Sequence, residues 1–237
     1  MRCLGIDLAW GENPSGLCCL NFASDTLVLL DLRRETSIAD IFAWVDHFSP
    51  DAGIVAVDAP TLIPNQTGSR IPDRLAHKYF GKYHAGCYPA NLNLPFADRT
   101  LGVGLRLEAR GFAHAPTIQP RSLGRYQIEM FPHPAMIHLF GLNQILKYKK
   151  GTIAQRKAGL IQLRQHILEK LPNIKPRLEI ATLPEIPNKG TELKALEDQL
   201  DSLICAYAAA YWWYWGLEKN LVLGDRDSGY IVVPTIV

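Results

Sequence analysis

The chain has 237 residues and a net charge of +2 at pH 7, with 48% hydrophobic and 20% charged residues. These values exclude an intrinsically disordered chain and allow one domain with a sizeable core. The five cysteines form no C-x-x-C pair and the start resembles no secretion signal, so we predict a cytoplasmic protein with reduced thiols. The uncharged, apolar stretch 202–217 is too short to span a membrane, and no membrane partner is expected.

Basic residues are concentrated in one segment, about 143–177. It holds nine of the 25 Lys and Arg residues but only one of the 23 acidic residues. Such a concentration of positive charge is a candidate surface for a polyanion such as nucleic acid. The alternative is an ordinary solvated helix face.

The first quarter of the chain predicts strands and one helix. Apolar runs favour a buried strand within Arg2–Trp10, a hairpin from 17–22 and 27–32, and a strand at Gly53–Val57. Between them, Thr36 or Ser37 is expected to cap a helix that ends near Phe48. Asp7 lies inside the first of these runs, and Asp58 directly follows the run Gly53–Val57.

The middle of the chain, about 61–121, is rich in proline and glycine and is predicted to be an insertion. Helices are expected within it at about 73–80 and 98–109. Further along, the pattern predicts a strand at 125–130, helices at 135–140, 153–171 and 191–216, and a terminal hairpin from 221–223 and 230–233. We therefore expect a single domain spanning 1–237.

Four acids lie in apolar surroundings, where a carboxylate is costly unless it is paired or binds a cation. These are Asp7, Asp58, Glu129 and Asp201, which are 51, 71 and 72 residues apart, so only the fold can bring them together. Asp198 shares a helix face with Asp201. Clustered carboxylates with no Cys or His partners suit Mg²⁺ or Mn²⁺, and two such ions promote attack of water on a phosphodiester.

Most of these acids also have a purely structural explanation. Asp58 can cap the next turn, Glu129 can pair with Arg121 or Arg125, and Asp198 can be an exposed helix acid. The acid of the first strand is hardest to explain in this way, because its neighbours in the sequence are apolar.

Six further residues are candidates for substrate binding: Arg70, Tyr88, Asn91, His133, Lys147 and Lys149. The lysines can bind phosphate, the tyrosine and asparagine can stack on or bind a base, and the histidine can orient water. Each of three candidates also has a structural alternative. Arg70 can belong to a helix cap, Tyr88 can pack in the core, and His133 can be a turn residue without a catalytic role. The aromatic cluster 212–215 is expected in the core or on a dimer face, so a homodimer is one prediction.

Four motifs resemble, in order, the signatures of predicted nucleases with a ribonuclease-H-like fold. They are Gly5-Ile6-Asp7, Val57-Asp58-Ala59-Pro60, Ile128-Glu129-Met130-Phe131-Pro132 and Asp198-Gln199-Leu200-Asp201. More specifically, the chain resembles an uncharacterised bacterial family within this superfamily that is described only as a domain of unknown function. The resemblance extends over nearly the whole length and includes the stretches 86–92 and 229–234.

This resemblance implies an α/β fold with a five-stranded mixed sheet in the order 3-2-1-4-5 and helices on both faces. Asp7, on the central strand, is then the shared metal ligand. The Asp-x-x-Asp motif resembles that of Holliday-junction resolvases and places Asp198 and Asp201 in the site. The predicted function is a metal-dependent nuclease acting on DNA or RNA. One alternative is a non-catalytic nucleic-acid-binding module. Another is a phosphotransferase of the actin-like ATPase and sugar-kinase group. The lack of an internal repeat argues against this second alternative, because those proteins normally duplicate the fold.

Overall fold

A mixed seven-stranded β-sheet lies at the centre of the protein in a computed structural model, which describes residues 1–235. The strand order is β5-β6-β4-β1-β2-β3-β7. β1 pairs antiparallel with β2 and parallel with β4. The strands are β1 (Arg2–Asp7), β2 (Ser15–Ala23), β3 (Thr26–Glu35), β4 (Gly53–Val57), β5 (Ala113–His114), β6 (Arg125–Glu129) and β7 (Arg177–Glu179).

Helices and a terminal hairpin surround this sheet. The helices are α1 (Ile38–Phe48), α2 (Ile71–Phe80), α3 (Ala97–Glu108), α4 (Pro132–Phe140), α5 (Ile153–Lys170) and α6 (Gly190–Trp215). Short 3₁₀ turns follow α2, α5 and α6. The hairpin consists of β8 (Asn220–Asp225) and β9 (Gly229–Pro234).

The predicted α/β fold is confirmed, and the predicted strand count is wrong. The inner strands, in the order β3-β2-β1-β4-β6, match the expected order 3-2-1-4-5. Two short strands, β5 and β7, extend the sheet at its edges. They have two and three residues, so neither is long enough to show the alternation by which a strand is recognised in a sequence.

Side chains of the central strands alternate between the two faces of the sheet. Leu4 and Ile6 pack with α1 and α3 on one face. Cys3, Ile54 and Ala56 pack on the other face, where α4, α5 and α6 lie. Because successive side chains in a strand point to opposite sides, residue parity decides which helices a strand residue meets.

The predicted insertion, 61–121, packs against two different parts of the protein. Val103 and Leu107 of α3 join the core beneath α1. Ala76 and Phe80 of α2 pack against the β8–β9 hairpin. The insertion thereby contacts both the α1 face of the sheet and the terminal hairpin.

α6 approaches the sheet unusually closely at two glycines. A Cβ atom at Gly5 would overlap the carbonyl oxygen of Ser202 and the amide nitrogen of Ala206. A Cβ atom at Gly16 would overlap the carbonyl oxygen of Asp198. The helix backbone therefore rests directly on β1 and β2, which places its first half over the carboxyl end of β1.

The aromatic end of α6 is part of the core. The indoles of Trp212 and Trp213 are buried and donate hydrogen bonds to the carbonyls of Ala115 and Ser122, at 3.0 and 2.8 Å. The cluster predicted as core or dimer face is therefore core, and the homodimer stays a prediction. In the part of the chain that the structure describes, no helix has the length and hydropathy needed to cross a membrane.

Candidate active site

Asp7 and Asp58 lie side by side at the carboxyl ends of two parallel strands. Asp7 ends β1 and Asp58 follows β4, and the amide of Asp58 donates to the carbonyl of Ile6 at 2.9 Å. Two residues before each acid, Gly5 and Ala56 face α6. By strand alternation both carboxylates leave the sheet on the α6 face.

Asp201 of α6 brings a third carboxylate to the same place. It is fully buried, accepts a hydrogen bond of 2.7 Å from the Tyr148 hydroxyl, and lies 2.7 Å from the Lys149 ammonium. The same ammonium attracts the carboxylates of Asp7 and Asp58. We call Asp7, Asp58 and Asp201 the carboxylate cluster, with Lys149 as its counter-ion.

Burial and mutual repulsion make ionisation of Asp7 and Asp58 unfavourable. Desolvation raises the pKa of Asp7 well above its ordinary value, and the Lys149 ammonium opposes that shift while neighbouring carboxylates add to it. Desolvation likewise raises the pKa of Asp58 to about 7. Burial lowers the pKa of Lys149, but Asp201 and the other acidic groups around it raise that pKa well above the usual range.

The donor set of the cluster suits a divalent cation. Three carboxylates face one ammonium, and their oxygens are the ligands that Mg²⁺ and Mn²⁺ prefer. Within residues 1–235, the acidic, His and Cys side chains as positioned form no group of three around a common ion site. The charge is instead balanced in part by Lys149, so a divalent ion fits this cluster if the ammonium moves away.

Glu129 lies outside the cluster, for a reason of register. In the pairing of β6 with β4, Glu129 lies opposite Val57 and not opposite Asp58. Its side chain therefore leaves the sheet on the face opposite to α6. There the Arg70 guanidinium donates to both carboxylate oxygens, at 2.6 and 2.8 Å. Glu129 thus has an arginine partner, as one prediction held, but the partner is Arg70 and not Arg121 or Arg125.

Arg70 belongs to a buried ion network. Besides Glu129, its guanidinium binds Asp73 at 2.8 Å and the carbonyl of Leu62 at 2.8 Å. Asp73 also accepts a hydrogen bond from the amide of Ala90. The structure thus places this predicted substrate-binding arginine at the start of α2, where it joins the insertion to β6.

Replacing Arg70 by Met is expected to lower the free energy of unfolding by about 3–5 kcal/mol, because two buried carboxylates lose their partner. Urea unfolding measures this change. The control is Arg74→Met on the same helix, where the exposed guanidinium contacts the carbonyl of Ser69 and a change below about 1 kcal/mol is expected. Equal stability of the two variants would contradict the structural role of Arg70.

Asp198 and Asp201 have different partners although they are one turn apart. The Asp198 carboxylate lies 2.8 Å from Arg34 of β3 and 2.8 Å from Lys194 of α6. Two cations therefore hold it over β3, while Asp201 points to Lys149. The two acids do not converge on a single point in this arrangement.

A cavity of about 510 Å³ opens over the cluster and gathers several predicted residues. It is lined by Asp7, Asp58, Tyr88, His133, Lys147 and Lys149, and also by Trp10 and Lys150. Burial and the Lys149 charge lower the pKa of His133 to about 4, so its imidazole is neutral at neutral pH. The cavity thus combines carboxylates, ammonium groups, a neutral imidazole and aromatic rings.

The candidate residue Asn91 does not line the cavity, and two residues near the cluster were not predicted. Asn91 is nearly buried, and its side chain holds the loop through the carbonyl of Gly68 and the amide of Asn93. Tyr148, which binds Asp201, and Trp10 on the cavity rim were not predicted. Two sequence signals could have indicated them: Tyr148 is next to Lys149 in the chain, and Trp10 follows the strand that ends at Asp7.

The basic segment, 143–177, does not form one free basic surface. Arg156 lies 3.5 Å from Glu197, Lys157 bonds to Asn188, and Arg164 bonds to two backbone carbonyls. These cations hold α5 against its neighbours. The lysines at 147, 149 and 150 are the part of this segment that faces the cavity.

A family model described as a protein of unknown function, DUF429, matches residues 5–223. The chain belongs to this family. The family resemblance seen in the motifs is thereby confirmed, and the strand order with α6 across β1 and β2 agrees with the ribonuclease-H-like fold that the resemblance implied. Among curated proteins, none matches the chain.

Two solved structures are similar to the chain at low sequence identity. RuvC of Thermus thermophilus is 15% identical, with 89% of this chain and 98% of that chain covered and a TM-score of 0.40. A fowlpox virus resolvase in complex with Holliday junction DNA is 12% identical, with 89% and 94% covered and a TM-score of 0.35. The assignment of the fold rests on the strand order and the position of α6.

Proposed function

We propose that the protein is a metal-dependent phosphodiesterase that hydrolyses nucleic acid. The observation that carries this proposal is the convergence of Asp7, Asp58 and Asp201 from three separate elements, beside a cavity that is also lined by lysines. Ligands of α/β proteins bind outside the carboxyl ends of the strands, where this cluster lies. The exposed Lys147 and Lys150 supply the positive charge that a phosphate backbone requires.

The carboxylate cluster holds Mg²⁺ or Mn²⁺ in this proposal. Asp7, Asp58 and Asp201 would hold the ion, which would supply activation of water and stabilisation of the leaving oxygen. Lys149 neutralises part of the cluster when no ion is bound, and it is free to contact a substrate phosphate when an ion takes over that charge. Within the described residues, the buried Nδ1 atom of His133 has no hydrogen-bond partner, so it can accept a hydrogen bond from water in the cavity.

Glu129 and Asp198 support the site in this proposal without binding the ion in the arrangement described above. Glu129 acts through Arg70, which fixes the insertion beside the cavity. Asp198 acts through Arg34, which fixes the first half of α6 over the sheet. Their loss is therefore expected to affect the positions of the cluster residues.

Affinity for Mn²⁺ is expected to rise with pH, because an ion and a proton compete for the same carboxylate. With the pKa of Asp58 raised to about 7, proton competition at this carboxylate alone contributes a rise of roughly tenfold between about pH 6 and pH 8. His133 does not titrate in this range. Calorimetric titration at three pH values checks the slope, and an affinity that is independent of pH would contradict the role of Asp58.

Cleavage assays test the function directly. Labelled single-stranded DNA, single-stranded RNA, an RNA–DNA hybrid and a four-way DNA junction are incubated with Mg²⁺, Mn²⁺ or EDTA. We expect cleavage of at least one substrate with metal and none with EDTA. Binding without cleavage, equal with and without metal, would contradict the proposal.

The ion pair between Lys149 and Asp201 favours a second candidate, a non-catalytic nucleic-acid-binding module. A lysine that neutralises the cluster permanently would leave the fold and the basic cavity intact but would exclude the ion. This candidate predicts oligonucleotide binding that does not depend on divalent metal. Hydrolysis of ATP with Mg²⁺ but of no oligonucleotide would instead favour a phosphotransferase.

A further inference from the structure

Two exposed aromatic side chains border the cavity. Trp10 is 47% exposed, the largest value among the tryptophans of the described residues, and Tyr88 is 72% exposed. Both line the cavity of about 510 Å³, and both also line an adjoining cavity of about 90 Å³. Large aromatic surfaces that stay in contact with water beside a cavity are typical of binding sites.

Trp10 is held in place before any ligand arrives. The preceding residue, Ala9, donates its amide hydrogen to Ser15 at 3.1 Å and accepts a hydrogen bond of 2.8 Å from Arg99. The indole packs on Phe96, with ring centres 4.3 Å apart. Because backbone and ring are both fixed, little conformational entropy is lost when a flat ligand binds there.

Tyr88 stands beside Trp10 in an edge-to-face arrangement. The ring centres are 6.5 Å apart and the ring planes differ by 80°. Pro89 follows Tyr88 and restricts its backbone to extended conformations. The exposed ring therefore presents a face that no residue of the described chain covers fully.

The remaining lining of the cavity suits a nucleotide. Asp7 and Asp58 carry the proposed metal site, and Lys147 and Lys150 can bind phosphate. A cavity of about 510 Å³ is within the range of small-ligand sites, roughly 300–1,000 Å³. Bases of an intact duplex stack on their neighbours, whereas an unpaired base offers its faces to aromatic side chains.

We propose that Trp10 and Tyr88 form a stacking site for an unpaired base of the substrate, next to the phosphate that is cleaved. This inference rests on the proposed function and narrows it to nucleic acid with a single-stranded or unpaired nucleotide. Fully paired duplex is then a poor ligand. Recognition is by stacking, which tolerates all four bases.

Binding of three fluorescent oligonucleotides tests the stacking site: a single strand, a blunt duplex of the same sequence, and an abasic strand with the same number of phosphates. Anisotropy is measured in EDTA and again in Ca²⁺. We expect the wild-type protein to prefer the single strand, and Tyr88→Ala to weaken that binding roughly 10-fold or more. Tyr88→Ala should leave binding of the abasic strand unchanged, and Tyr88→Phe should retain single-strand binding.

Tyr79→Ala is the matched control, since Tyr79 is 48% exposed and lines neither cavity. Equal single-strand binding by wild type and Tyr88→Ala would overturn the inference while leaving the nuclease proposal intact. Equal losses for the single and abasic strands would also overturn it, because they would indicate phosphate contact. Absence of nucleic-acid binding by the wild-type protein would overturn both proposals.

Discussion

Replacing Asp7 by Asn is expected to reduce metal-dependent cleavage more than about 100-fold while the fold is retained. Asp7 ends the central strand, adjoins Asp58 and faces Asp201. It is therefore the proposed metal ligand that lies next to both of the others. Asparagine has nearly the same shape but no charge, and it weakens the attraction for a divalent ion. Initial cleavage rates in Mn²⁺ measure the loss.

The stability of the same variant distinguishes a chemical role from misfolding. The raised pKa of Asp7 means that the native state disfavours its charged form, and that cost grows as pH rises above the ordinary value. Removal of the charge should therefore leave the metal-free melting temperature unchanged or higher at neutral pH. The control is Asp51→Asn in an exposed bend, which should be fully active. An active Asp7→Asn protein would contradict the account.

Replacing Gly5 by Ala is expected to destabilise the protein by about 3 kcal/mol or more. The added methyl group would meet backbone atoms of α6 at Ser202 and Ala206, which cannot rotate away as a side chain can. The helix must shift from the sheet, and Asp201 moves with it away from Asp7. Both the free energy of unfolding and the Mn²⁺ affinity should therefore fall.

Gly102→Ala is the matched control for this substitution. Gly102 lies within α3, and no atom is close to the position of its missing Cβ. Alanine is a better helix former, so this change should stabilise the protein by about 0.5–1 kcal/mol. If urea unfolding gave the same change in the free energy of unfolding for both glycine variants, this would contradict a close contact between β1 and α6.

The sheet and part of the site were accessible from the sequence because buried strands leave a clear pattern. Continuous apolar runs that end in an acid predicted both the strands and the positions of Asp7 and Asp58. The apolar run of α6 predicted a core helix, with Asp201 at the boundary between its charged first half and its apolar second half. Long elements with a clear hydrophobic pattern are predictable, because their burial outweighs the conformational preferences of single residues.

The register between strands was not accessible from the sequence, and it decides on which face of the sheet the Glu129 side chain lies. At the end of an apolar run, Glu129 looks like Asp7 and Asp58. A shift of one residue against β4 turns its side chain to the other face of the sheet, where Arg70 binds it. Nothing in the sequence around Glu129 indicates that an arginine 59 residues away is its partner.

The counter-ion of the cluster was also not accessible. Lys149 was predicted to bind phosphate because it belongs to the basic segment, and the pattern does not show that Asp201 lies 2.7 Å from it. Tyr148, its neighbour in the chain, is buried against the same acid. Such partners depend on how α6 and the loop before α5 pack, which residue types alone do not specify.

Calorimetric titration with Mn²⁺ tests the proposed metal site at Asp7 most directly. It compares wild type with Asp7→Asn, each alone and with a single-stranded phosphorothioate oligonucleotide that can complete the site with phosphate oxygens. We expect the wild type to bind one or two ions and the variant to bind Mn²⁺ with an affinity at least about tenfold lower. Absence of Mn²⁺ binding by the wild type under both conditions, or equal binding by the two proteins, would contradict a metal site at Asp7.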